Sequence, residues 1–263
     1  MALYFIKKEN PLSSYEDLKN AYLNHIEKKS SWKDKKSAES LANYWFKTDH
    51  KDFQSMLNDL FGEYSLGDGF FEYCTVFDES FRGPREHDLC FPLVKAGMHT
   101  ITVGIEAKGN ESYDKLISKQ AQIAQSMISA GKKTKLLDRV QSMYLAMEDP
   151  ANNRIRNIKD FSSMRYQLFS GLCGTIAEAN KQNANIALFL IIQFETELAN
   201  KKSQERNKTD LVDFLKYMRI SNDIKSGQII NVSVKFKEVD NFKIKYSTED
   251  LEVYIGYLKI KLD

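Results

Sequence analysis

The stretch VGIEAKGN, residues 103 to 110, sets a carboxylate, Glu106, two residues from an ammonium, Lys108, where an apolar run ends. Side chains alternate along a strand. Ile101, Val103, Ile105 and Ala107 then share one face, and Thr102, Gly104, Glu106 and Lys108 the other. Glu106 and Lys108 project together, and Gly104 leaves room beside them. The preceding run, DLCFPLV, puts Leu89, Phe91 and Leu93 on one face and Asp88, at its start, on the opposite one. If the two runs pair as a hairpin, the start of one lies beside the end of the other, which brings Asp88 to Glu106 and Lys108.

Two carboxylates and an ammonium suit metal-assisted cleavage of a phosphodiester. Asp88 and Glu106 would hold Mg²⁺ or Mn²⁺ through oxygen, with the Ala107 carbonyl as a further ligand and water completing an octahedron. The metal would polarise the phosphate and activate a water. Lys108 would orient or deprotonate that water and stabilise the charge of the phosphorane. The Asp/Glu-x-Lys spacing alone is common. It also starts at Asp17, Glu27, Asp34, Asp49 and Asp223, in polar helical or loop settings. Glu106 is singled out by context, because there the pattern terminates an apolar strand.

A second group comes from DFSSMRYQLFSGLCGTIAEANK, read as one long helix. Phe161, Met164, Leu168, Leu172 and Ile176 form an apolar stripe, and Arg165 falls within it. A charge there needs a partner. A scissile phosphate, a site carboxylate or a structural ion pair would each serve. Gln167 lies off the stripe and faces the site or solvent. Gly171 and Gly174 cost helix propensity and point to close packing.

With these residues in hand, HDLCFPL…ITVGIEAKG resembles the PD-(D/E)xK nuclease superfamily, through Asp88 on one strand and Glu106-x-Lys108 on the next. The proline that the family places before the Asp is absent; His87 stands there. The resemblance covers residues 37 to 195. It implies an α/β fold with a restriction-endonuclease-like α-β-β-β-α-β core, to which the chain's own patterning adds N-terminal helices and extra C-terminal β-strands. It also implies a metal-dependent endonuclease acting on nucleic acid, DNA first, in restriction or defence. The family draws a glutamate from a helix before the hairpin and a Gln or Arg from one after it. SAESLANYW, with Glu39, and MRYQLFSGL, with Arg165 and Gln167, are the matching segments. Glu39 and Glu72, on the first strand, are the further candidate metal ligands, each with surface charge as the alternative. The pairing of an SA…LA…W helix with an RYQL helix also resembles uncharacterised bacterial proteins.

The bulk composition is compatible with this. The chain has 263 residues, 42% hydrophobic and 28% charged, enough for a full core. Its 38 basic and 36 acidic residues give a net charge of +2, so any nucleic-acid contact must come from a local patch. Cys74, Cys90 and Cys173 form no CxxC pair and read as buried hydrophobes in a reducing compartment. The opening MALYFIKKENP lacks a secretory pattern, and the longest apolar run, residues 186 to 192, is too short to span a membrane. A cytoplasmic protein is expected, as a homodimer if one site per chain cuts both strands.

The elements that must position the site read as a single domain over residues 1–263. Residues 1–36 are a helical extension whose Ser13 and Glu16 form a capping box. Helices follow over SAESLANYWFK and DHKDFQSMLNDLFGE, then a strand over 69 to 81 and the hairpin with its turn at Gly97. Pro92 inside the hairpin demands an edge or a bulge. After the crossover helices comes the buried-type strand IALFLIIQF. A helix near 209 to 219 and two or three strands over 228 to 262 form the C-terminal decoration of residues 209–263. Basic runs at 132 to 135, 154 to 159 and 201 to 208 are candidate phosphate contacts, with solvated surface as the alternative. The reading from another class is a non-catalytic nucleic-acid-binding or protein-interaction module on the same fold.

Overall fold

The computed structural model describes residues 1–33, 36–78, 83–95, 98–146, 158–197, 200–220, 224–232 and 251–262. The chain begins with two short strands, β1 (Leu3–Phe5) and β2 (Lys7–Leu12). Three helices follow, α1 (Tyr15–Asn24), α2 (Ser37–Lys47) and α3 (Lys51–Phe61). Then come β3 (Ser65–Leu66), β4 (Gly69–Thr75), β5 (Arg85–Lys95) and β6 (Met98–Lys108). The crossover holds α4 (Ile117–Ser129), α5 (Leu136–Ala146), α6 (Ile158–Ser162) and α7 (Tyr166–Lys181), and leads to β7 (Ile186–Glu195). The chain closes with α8 (Lys201–Tyr217), β8 (Gln228–Asn231) and β9 (Glu252–Lys261).

The strands form one mixed sheet in the order β2-β1-β4-β5-β6-β7-β9-β8, with β3 also pairing with β5. β4, β5 and β6 make an antiparallel meander, and β7 and β9 continue it in parallel. Helices cover both faces. On one, Leu18, Trp45, Phe53 and Leu57 pack against Leu89, Phe91, Val103 and Ile105. On the other, Leu168, Phe169, Leu172 and Phe214 pack against Phe189, Ile191 and Ile255. β7 is buried on both faces, which explains why its sequence runs apolar without alternation.

Several boundaries differ from the sequence expectation. The first 36 residues are not a purely helical extension, because β1 and β2 join the sheet through β4. The expected helix at Phe161 is split in two: Arg165 adopts an extended backbone and caps α7. The last helix starts at Lys201, so the basic run 201 to 208 is its first half, with Lys201, Lys202, Arg206 and Lys208 exposed and Asn207 buried. β9 is not peripheral, since it pairs with β7 from Ile186–Glu252 to Glu195–Lys261. Ser14, not Ser13, caps α1: its side chain accepts the Asp17 N–H at 3.1 Å, while Asp17 returns to the Ser13 N–H at 2.9 Å. Pro92 sits beside the register shift at Leu93–Val94, where β4 has ended and β3 takes over, so its missing N–H breaks no ladder. Gly97, Asp34, Asp223 and most of the run at 154 to 159 lie outside the described residues.

The decisive feature is a fork in the sheet. β5 and β6 pair from Lys95–Met98 to Leu89–Ile105. Beyond that, β5 continues beside β4 to Thr75–Arg85, while β6 continues beside β7 to Lys108–Gln193. The alternation of β4 and β5 also inverts there. Phe71 and Leu89 face the N-terminal helices. Two residues on, Tyr73 donates to Glu178 of α7 at 2.8 Å and His87 packs under α7. The inversion falls on Glu72 and Asp88, which sit opposite each other in the gap between Phe71–Leu89 and Tyr73–His87. Glu72 has φ 52°, in the left-handed region that glycine prefers.

Candidate active site

Asp88 stands in the crotch of the fork. Its Oδ2 accepts the Ala107 N–H at 2.7 Å, which joins the two diverging strands where their own ladder has stopped. Glu106 and Lys108 are 1% and 4% exposed. The Lys108 ammonium donates to one Glu106 oxygen and the Arg85 guanidinium to the other. Asp88, Glu106 and Lys108 are therefore brought together as the spacing implied. They meet by a different route, because Asp88 reaches the site from the point of inversion and not from a plain alternating strand. The space beside Gly104 is not open either. A Cβ there would collide with Thr175 Oγ1 and stand 3.0 Å from the His87 ring, so the glycine admits α7.

The charges act on one another. Burial and the Glu106 charge hold the Asp88 carboxyl well above the ordinary carboxylate range, against the pull of Lys108. Burial opposes the Lys108 charge, but Glu106 and Asp88 outweigh it and keep the ammonium above its ordinary value. A lysine so held stays protonated. Of the roles expected for Lys108, this favours orienting water and stabilising charge over taking a proton in the metal-free chain. The Tyr113 ring lies 5.5 Å from the Lys108 ammonium and closes that side.

A second layer fixes these groups. Gln193 on β7 donates to the carbonyls of Lys108, at 3.1 Å, and Gly109, at 3.0 Å. Asn207 on α8 donates to Gln193 Oε1 at 3.2 Å and to the Glu111 carbonyl at 2.9 Å. On the other flank, Glu72 is held by the Tyr22 hydroxyl at 2.7 Å and the Lys28 ammonium at 2.6 Å, and Lys28 also bonds Glu86 at 2.6 Å.

Sequence reading missed Arg85, Lys28, Gln193 and Asn207. Two of them left a signal. Gln193 interrupts an otherwise apolar buried strand, and Asn207 precedes Leu211 and Phe214 on the buried stripe of α8. Lys28 lies in a charge run that reads as surface, and Arg85 lies at a strand start, where charge is unremarkable.

The remaining candidates fall elsewhere. Arg165 is not brought to the fork. It pairs with Asp210 at 2.8 Å and donates to the Asp114 carbonyl at 3.1 Å, the structural ion pair left open by the sequence. Glu39 accepts from the Tyr15 hydroxyl at 3.1 Å, between α1 and α2. Both Glu72 oxygens are engaged, by Tyr22 and Lys28, on the flank of the fork. Gln167 accepts the Asp114 N–H at 3.0 Å and lines a cleft of about 220 Å³ with Arg85, Tyr166 and Ser170. Trp32, half-buried, packs against Tyr15 and Tyr22.

Among the described residues, no three His, Cys, Asp or Glu side chains converge to hold a metal ion. The donor set is the pair Asp88 and Glu106. Two carboxylates still fit Mg²⁺, which keeps several waters and takes one or two protein carboxylates beside substrate phosphate. No described helix is long and apolar enough to cross a membrane. A family model, Domain of unknown function (DUF6946), matches residues 11–262. No curated protein and no solved structure matches.

Proposed function

The chain belongs to the DUF6946 family, and we propose that it is a metal-dependent endonuclease of the PD-(D/E)xK type, hydrolysing phosphodiester bonds in DNA. The observation that carries the reading is the meeting of Asp88, Glu106 and Lys108 at a fork in the sheet, tied by the Asp88–Ala107 hydrogen bond. The element order supports it: helices, the meander β4-β5-β6, a crossover helix packed on the meander, and β7 parallel to β6, as the restriction-endonuclease-like core requires.

Asp88, Glu106 and the Ala107 carbonyl would hold Mg²⁺ or Mn²⁺, which when bound supplies polarisation of a phosphoryl oxygen and a more acidic water. Lys108 presents a buried ammonium, which Glu106 and Asp88 hold protonated in the metal-free chain, to the negative charge that grows on the phosphoryl oxygens. Gln193 holds the Lys108 and Gly109 carbonyls and so sets the angle from which that ammonium approaches. The exposed Lys201, Lys202, Arg206 and Lys208 surround the buried Asn207 on α8 and offer a basic flank for the nucleic-acid backbone.

One observation favours the non-catalytic reading. Both Glu106 oxygens are already paired with the chain's own cations. Incubation of supercoiled plasmid with Mg²⁺ or Mn²⁺, with EDTA as control, separates the two. Nicking by the wild type, lost with EDTA, with Asp88→Asn and with Lys108→Ala, supports the nuclease. Nicking that survives Lys108→Ala refutes the mechanism. A folded wild type that neither binds Mn²⁺ nor cleaves leaves the binding module.

A further inference from the structure

Arg85 is the residue that the nuclease reading leaves unused. It opens β5 and lies under α7, with its NH2 3.5 Å from the Cβ position of Gly171. Its side chain is 11% exposed. One arm of the guanidinium bonds Glu106, and its buried Nε has no hydrogen-bond partner. The same side chain lines the 220 Å³ cleft, opposite Gln167 and Ser170 in the first turns of α7. Arg85 therefore spans the distance between the proposed metal ligand Glu106 and a cleft at a helix N-terminus.

The other charges along that cleft are committed. Arg139 is paired with Asp78 and donates to the Gly83 carbonyl at 2.7 Å. Glu86 is paired with Lys28. Asp114 accepts from Gln120 at 2.9 Å and pairs with Lys115 at 3.5 Å. Arg85 differs, because its partner Glu106 is a carboxylate that a divalent cation would claim. A guanidinium also suits carboxylate and phosphate equally well, through the same planar fork of donors.

We propose that Arg85 is the phosphate-binding residue of this cleft, and that it passes from Glu106 to a substrate phosphate when a divalent cation takes over Glu106. This rests on the nuclease reading. Without metal, Arg85 and Lys108 balance the buried carboxylates. With metal, a third and a fourth positive charge enter, and Arg85 becomes surplus at Glu106 just as a phosphodiester brings negative charge to the cleft. The unpartnered Nε supplies the second donor for a bidentate contact. The positive end of α7 favours the same anion.

The consequence is a pair of effects of opposite sign, which loss of a merely structural arginine would not produce. Two titrations read them on the full chain: Mn²⁺ alone by calorimetry, and a fluorescein-labelled DNA duplex in Ca²⁺ by anisotropy. Arg85→Gln is expected to bind Mn²⁺ about tenfold tighter, since Glu106 is no longer shared, and DNA about tenfold weaker; each change is worth about one charge-assisted hydrogen bond. Arg85→Lys keeps the charge and is expected to bind Mn²⁺ like the wild type and DNA more weakly, through loss of the bidentate geometry. If Arg85→Gln fails to fold, Arg85→Lys decides alone, and unchanged DNA affinity there overturns the proposal. Both affinities falling together in Arg85→Gln makes Arg85 structural and overturns it, as do both staying unchanged. Wild-type protein that binds no Mn²⁺ overturns the nuclease reading itself, and this proposal with it. Mn²⁺ binding by the wild type with unchanged DNA affinity in Arg85→Gln overturns this proposal alone.

Discussion

Replacing Asp88 with asparagine is expected to stabilise the metal-free protein while abolishing its metal binding. In the folded state, burial and the Glu106 charge raise the Asp88 pKa. The native state then holds that proton more tightly than the unfolded chain, whose aspartates titrate near 3.9. By linkage, stability is greatest below that unfolded value and declines as pH rises through the raised native one. Once pH exceeds that raised value, the wild type carries the full cost of ionising Asp88. Asparagine cannot ionise, and its amide oxygen can still accept the Ala107 N–H. The hydrogen bond weakens by about 1 kcal/mol on losing its charge assistance. Relief of burial and repulsion opposes that loss, and the net change is expected to be a gain in stability. For a chain of this size, each kcal/mol gained is a rise of about 2 °C in Tm. The assay is thermal and urea unfolding at pH 7 in EDTA, repeated with Mn²⁺. Mn²⁺ should stabilise the wild type by mass action and leave Asp88→Asn unmoved. An Asp88→Asn protein that is equally or less stable than wild type in EDTA would refute the electrostatic reasoning, whatever its activity.

Gly174→Ala should cost about 1–3 kcal/mol in urea unfolding, because its Cβ would stand 2.5 Å from Thr75 Oγ1 and 2.8 Å from His87 Nε2; a neutral result would show that α7 can lift off the sheet freely. Burial, aided by the Arg85 charge, holds His87 well below its ordinary pKa, so the protein should lose about 1 kcal/mol per pH unit as pH falls below 6.5 toward the native value. His87→Gln should flatten that slope, and an unchanged slope would assign the acid sensitivity to other groups. Gln193→Ala should lower kcat for plasmid cleavage at least tenfold with Mn²⁺ affinity unchanged, since it frees the Lys108 carbonyl without touching Asp88 or Glu106; a lost Mn²⁺ site would mean that the whole strand end had moved. Arg165→Lys should retain cleavage, because Arg165 pairs with Asp210; a loss of activity at unchanged stability would return it to the site.

The sequence was legible where one residue's surroundings decide its position. The apolar run ending at Glu106 marked the strand and its buried end, and the hairpin brought Asp88 near it, although the inversion and not plain alternation aims its side chain. The glycines of α7 announced the tight packing that Thr75 and His87 require. What stayed hidden depends on partners far apart in the chain. Arg165 lies within an apolar periodicity, yet the helix begins after it, and its charge is met by Asp210 from a helix 45 residues away. Glu72 reads as one more alternating position until Tyr22, 50 residues earlier, is seen to hold it in a backbone that its own propensity disfavours. The first residues look like a lead into α1, and only the free edge of β4 makes them strands. Period and capping chemistry are local properties; the partner of a buried charge is not.

The inversion at Glu72 and Asp88 restricts how this chain can change length. Each strand shifts phase once, at facing positions, so the two shifts cancel and the ladder keeps its register on both sides. A deletion in β4 alone would turn Tyr73 and Thr75 away from α7, and one in β5 alone would do the same to Arg85 and His87. Either would leave Glu178, or the helix glycines, facing the wrong side chains. Gaps in this part of the chain are therefore tolerable only in matched pairs, one in each strand.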